Sequence, residues 1–92
     1  MDNNVVFFEE NGEVFLTTIE GDIIYEEDGY KEIVKKLKDG RWVLFHVYNI
    51  SGKEDTAALV TEQNVVNMLI YNNKIELLKK YFPDTYKSML VE

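Results

Sequence analysis

Two strand-like runs rich in β-branched and aromatic residues, Val5–Glu10 and residues 13–19, flank Asn11-Gly12. Asn-Gly is the strongest short hairpin signal, because both central residues of a type I′ turn need positive φ. Gly21-Asp22 offers a second tight turn, leading into a short strand over residues 23–25. Asp28 then stands where it can cap a helix, and Tyr30, Ile33, Val34 and Leu37 follow the i, i+3, i+4, i+7 spacing of one apolar helix face. Gly40 sits where a helix C′ glycine belongs.

Residues 41–50 are apolar on both alternating faces, the pattern of a central strand covered on two sides. A polar turn over residues 51–55 lets Thr56–Val60 return as its antiparallel partner. Thr61 is the expected N-cap of a helix running to Tyr71, with Val65, Val66, Leu69 and Ile70 facing inward. Asn73 with Glu76 has the spacing of a capping box, opening a helix that stops before Pro83. A last short helix carries Tyr86, Met89 and Leu90 toward the core. The pattern predicts an α+β fold: a mostly antiparallel sheet of about five strands, in the order βββ-α-ββ-α-α, with helices packed against it.

Length places this pattern in one domain, since 92 residues leave no room for a second core. The chain is 46% hydrophobic and 13% aromatic with a single proline, which argues against disorder. It has no cysteine, so thiolate chemistry and disulfides are absent and a reducing, cytoplasmic setting is expected. Residues 1–4, Met1-Asp2-Asn3-Asn4, lack the basic and apolar regions of a signal peptide. The longest apolar stretch, residues 42–47, is interrupted by His46 and is too short to cross a bilayer.

Charge adds the most specific information. Asp2, Glu9, Glu10, Glu13, Glu20, Asp22, Glu26, Glu27 and Asp28 all precede the first basic residue, Lys31, in a chain of net charge −7. Such a surface repels phosphates, so direct nucleic-acid binding is not expected. Glu26, Glu27 and Asp28 suit the entry to the expected helix, where acids offset the positive end of the macrodipole. Lys31, Lys35 and Lys38 form an i, i+4, i+7 stripe on the same expected helix, read as a solvated face or as partners for the acidic hairpin.

Catalytic and metal chemistry find little to build on. His46 is the only histidine, and Ser51 and Ser88 lie in no G-x-S-x-G context. One histidine without cysteine cannot frame a zinc site, and residues 26–29 lack the alternating ligands of an EF-hand loop. Lys53 in Ser51-Gly52-Lys53 precedes Glu54 and Asp55, so this is a turn and no Walker A motif. No cofactor, no metal and no enzymatic activity are expected.

The remaining acids cluster at hairpin turns. A two-residue Asn11-Gly12 loop sets Glu10 directly opposite Glu13, and like charges so placed destabilise a hairpin. Local cost without local compensation marks a functional surface. The expected site is therefore Glu9, Glu10, Glu13, Glu20 and Asp22, an acidic face for a protein partner with a basic surface. By size and charge the chain is analogous to small acidic inhibitors of phages and mobile elements, which present carboxylates in place of nucleic-acid phosphate. Two alternatives differ in class. Phe8 with Phe15, or Phe7 with Leu16, offers an apolar hairpin face to a second copy, giving a homodimer. A pocket lined by Trp42, Tyr48 or Tyr71 suits a small-ligand sensor.

Overall fold

In a computed structural model the described residues are 5–90, so residues 1–4, including Asp2, lie outside them. Strands β1 (Val5–Glu10), β2 (Glu13–Thr18), β3 (Asp22–Glu27), β4 (Tyr30–Lys36), β5 (Trp42–Tyr48) and β6 (Thr56–Val60) come first. Helices α1 (Glu62–Tyr71), α2 (Ile75–Tyr81) and α3 (Pro83–Leu90) follow. β1 and β2 form a separate two-stranded hairpin, and the other four strands make one antiparallel sheet in the order β3-β4-β5-β6. The α+β class and its antiparallel pairing are as the sequence pattern implies.

The sheet divides two cores. Val34, Trp42 and Ile24 face α1 and α2, burying Val65, Val66, Leu69 and Leu78. Ile33, Val43 and Phe45 face the hairpin and meet Val6, with Phe8 and Ile19 packed at the margin. β5 is the covered strand its two apolar faces require, bonded to β4 on one side and β6 on the other.

Residues 30–36 are a strand where the apolar spacing implies a helix. Ile33 and Val34 are adjacent, and in a strand each enters a different core. The spacing that fits one helix face thus fits a two-faced strand equally well. Asp28-Gly29 is accordingly the turn between β3 and β4, with Gly29 at φ +84° and Glu27 opposite Tyr30. Glu26 and Glu27 are strand residues, Glu26 opposite Lys31, and serve no helix entry. The lysine stripe dissolves with the helix: Lys31 and Lys35 lie on the strand while Lys38 falls in the β4–β5 loop with Gly40.

The helices follow their caps. Thr61 accepts from the Asn64 backbone N–H at 3.0 Å, and the Asn64 side chain accepts from the Thr61 N–H at 3.2 Å, a capping box. α1 closes in a Schellman motif: Asn73 adopts φ +56°, its N–H reaches the Ile70 carbonyl, and the Lys74 N–H reaches that of Leu69 at 2.7 Å. Asn73 therefore ends α1, and α2 starts at Ile75 without a side-chain cap on Lys74. Ile70, Met89 and Leu90 are exposed instead of inward, whereas Tyr86 packs on the core.

One irregularity steers the sheet edge. Ile23 opposes Ile33 and Tyr25 opposes Glu32, leaving Ile24 as an extra residue in a β-bulge. Ile24 is fully buried against the helices, so Ile24 and Tyr25 both turn to the helix side of the sheet.

Candidate functional site

The hairpin tip forms as its sequence dictates. Asn11 and Gly12 take φ +53° and +80°, and Glu10 stands opposite Glu13. Arg41 answers part of this charge: its guanidinium reaches the Glu13 oxygens at 3.2 and 3.4 Å and lies over the Phe15 ring, 4.7 Å from the centroid. The same group holds Asp39 at 2.7 Å and keeps that carboxyl below the usual carboxylate range.

The other acids disperse. Glu20 accepts from the Thr18 hydroxyl and from Lys35 at 3.2 Å, and in that order these lower its carboxyl pKa. Lys35 also donates to the Thr17 and Thr18 hydroxyls at 2.9 and 3.1 Å, tying the hairpin to β4. Asp22 lies on the helix side of β3 and accepts from the Tyr81 hydroxyl at 2.5 Å. Among the described residues, Glu9 and Glu10 form no ion pair. The structure thus gathers Glu9, Glu10 and Glu13 at one tip and sets Glu20 and Asp22 apart from them.

What adjoins that tip is apolar. β1 and β2 turn Phe8 and Phe15 inward, where their rings stack at 5.0 Å, and turn Phe7 and Leu16 outward as a directly opposed pair. Phe7 is 67% exposed and Leu16 72%, with Val5 and Val14 exposed beside them. Glu9, opposite Val14, continues this outer face toward the tip. The result is an outer apolar strip with the Glu9 carboxylate at one end, while Glu10 and Glu13, the next pair, lie on the inner face with Phe8 and Phe15.

A second constellation occupies the helix side of the sheet, at the end the helices leave open. The Tyr30 hydroxyl donates to Glu32 Oε2 at 2.5 Å and lies 2.6 Å from His46 Nδ1. A hydroxyl has one proton, and with that proton on the Glu32 bond the imidazole must donate its own from Nδ1. Tyr30 stacks on His46 and packs against Tyr48 and Tyr25. Burial, then the Glu32 carboxylate, pushes the Tyr30 hydroxyl well above the ordinary tyrosine range. The Glu27 carboxylate, accepting from the Tyr25 hydroxyl, shifts Tyr25 the same way. His46 is thus half-buried and satisfied by a neighbour. This cluster escapes a reading that winds residues 30–37 into a helix. Alternation of Tyr30, Glu32 and Val34 against Trp42, Leu44, His46 and Tyr48 is the signal that finds it.

Three aromatic residues suited to a ligand pocket sit at three different clefts. Trp42 borders one of about 480 Å³ with Glu10 and Thr61, Tyr48 one of about 430 Å³ with Lys53, and Tyr71 one of about 340 Å³ with Tyr25 and Glu32. The Trp42 indole N–H is buried, unbonded and sealed from solvent, so it presents no donor to its cleft. Among the described residues no group of three His, Cys, Asp or Glu side chains converges to hold a metal, and no helix is long and apolar enough to cross a membrane. Compared with known proteins, the chain matches no family model, and no curated protein or solved structure is significantly similar to it.

Proposed function

We propose that this protein is a non-enzymatic binding module that docks the outer face of its β1–β2 hairpin onto a partner protein whose apolar patch is bordered by basic residues. The observation that carries this reading is the exposed, directly opposed pair Phe7 and Leu16, continued on the same face by Glu9 and ending at the tip where Glu10 and Glu13 face the other way. An apolar centre with a charged margin is the anatomy of a protein interface. Burying side chains of this size yields about 1.5–3 kcal/mol each, while the carboxylates steer encounter. A basic patch on the partner that otherwise holds nucleic acid fits this margin, because carboxylates then stand where phosphates would. In this role the protein is an inhibitor.

A second copy is a weaker occupant. It has the same apolar strip, but it also brings the same carboxylates and a second net charge of −7.

Affinity capture with wild type, F7S/L16S and E9Q/E10Q/E13Q as baits tests the proposal. Wild type is expected to retain a basic protein at low salt and release it at high salt or on addition of an oligonucleotide. F7S/L16S is expected to capture nothing, and the triple Gln variant to lose the salt dependence. Capture indifferent to both variants sinks the reading. A dimer by light scattering that F7S/L16S converts to monomer selects the homodimer instead.

A further inference from the structure

The cleft of about 340 Å³ between the β3 edge and the end of α1 is lined by Tyr25, Glu32, Met68, Tyr71 and Asn72. Four of its features favour the same ligand chemistry. Glu32 is only 24% exposed and no Lys or Arg pairs with it among the described residues. Its Oε2 is engaged by Tyr30, and no bond to Oε1 forms among those residues. Tyr25 and Tyr71 supply aromatic faces, and Tyr71 is 88% exposed although a ring so placed gains nothing from packing. The last turn of α1 carries no basic residue, so the helix dipole adds negative potential beside the cleft.

We propose that this cleft is a binding site for a guanidinium group, stacked on the Tyr25 and Tyr71 rings and paired with the Glu32 carboxylate. A partly desolvated carboxylate, π faces and a helix C-terminus all attract positive charge. A metal ion needs several converging hard ligands, and the donor set here supplies one carboxylate. Between organic cations, a planar guanidinium both stacks on rings and offers a two-pronged donor fork to a carboxylate, whereas an ammonium is a strongly hydrated point charge. The site lies on the helix side of the sheet, away from the outer hairpin face, so it stands or falls independently of the docking proposal.

Titration of ¹⁵N-labelled protein with agmatine, followed by amide shifts at constant ionic strength, tests it. Saturable shifts are expected at Tyr25, Glu32, Tyr71 and Asn72, with a dissociation constant on the order of 1 mM for one ion pair plus stacking. E32Q keeps an acceptor for Tyr30 and is expected to weaken binding at least tenfold. Y71S alters an exposed side chain that the fold does not need, and is expected to weaken it roughly threefold or more. Putrescine, with ammonium groups alone, is expected to bind more weakly than agmatine. A parallel titration with the capped tripeptide acetyl-Gly-Arg-Gly-amide separates the sources: binding comparable to or tighter than agmatine assigns the site to arginine side chains, and binding by agmatine alone to a free guanidino compound. Shifts that never saturate, that spread over all the acidic residues, or that survive both substitutions overturn the proposal.

Discussion

Tyr30 sits in a chain of hydrogen bonds that a single hydroxyl cannot satisfy twice as donor, and this fixes how the face responds to alkali. Folding holds its proton more tightly than the unfolded chain does, first through burial and then through Glu32. The Tyr25 and Tyr81 hydroxyls are raised too, first by the carboxylates of Glu27 and Asp22. A raised pKa contributes stability that is complete below the unfolded value, about 10 for tyrosine, and is lost as pH rises beyond it. Stability is therefore expected to fall above about pH 10, and Y30F to fall less steeply, as read from urea midpoints at roughly pH 8 and 11. Equal alkaline losses in both proteins would remove Tyr30 from this account. Residue-scale features that act through the local backbone, the Asn11-Gly12 turn and the Thr61 cap, were legible from the chain alone. The Tyr30–Glu32–His46 contact was not, because it joins two strands whose pairing no local spacing encodes.

The element that reads two ways is β4. Its apolar positions satisfy a helix face and a two-faced strand alike, and the tie is broken by neighbours far along the chain: β3 and β5 bond to both its edges, and each face closes a separate core. Helix propensity over so short a segment is worth less than those pairings. Gly21 shows how tightly the last residues of β4 are held against the start of β3. It takes φ +142°, and a Cβ there would stand 2.2 Å from the Val34 carbonyl oxygen. At Gly40, with φ +95°, a Cβ would meet nothing within 4 Å. G21A is expected to cost about 2 kcal/mol or more, lowering the melting temperature by roughly 10 °C, while G40A costs about 1 kcal/mol from backbone strain alone. Equal losses by calorimetry would mean the Val34 backbone yields freely.

At the scale of the molecule, one sheet serves as the shared wall of two cores, and neither core is complete without it. Val6 belongs to the hairpin core, whereas Trp42 reports from the helix core. If the wall couples them, V6A lowers stability by about 1.5 kcal/mol and shifts the Trp42 fluorescence transition by the same amount as the circular-dichroism transition. Separate transitions would show the hairpin peeling away alone. The fold class was legible because alternation, turns and caps agree along most of the chain. The division of the acids was not. Glu13, Glu20 and Asp22 look equivalent in sequence, yet Arg41, Lys35 and Tyr81 reach them from distant segments. Among the described residues, what remains without an ion pair at the hairpin tip is Glu9, on the face of the apolar strip, and Glu10, on the face behind it.

The bulge at Ile24 has a bearing on how such a protein diversifies. A strand shows alternate residues to alternate sides, so one extra residue reverses the display of everything beyond it. Here the reversal brings Tyr25 and Glu27 to the side of Tyr30 and Glu32, while Asp22 and Ile23 keep their pairing. Straightening the bulge with Ile24 kept, so that Ile24 pairs with Glu32 and Tyr25 with Lys31, would send the aromatic and acidic end of β3 to the opposite side, whereas deletion of Ile24 would leave Tyr25 opposite Glu32. The edge strand is thus a place where descendants of one gene can exchange binding surfaces through a one-residue shift of register, while the rest of the sheet is inherited unchanged.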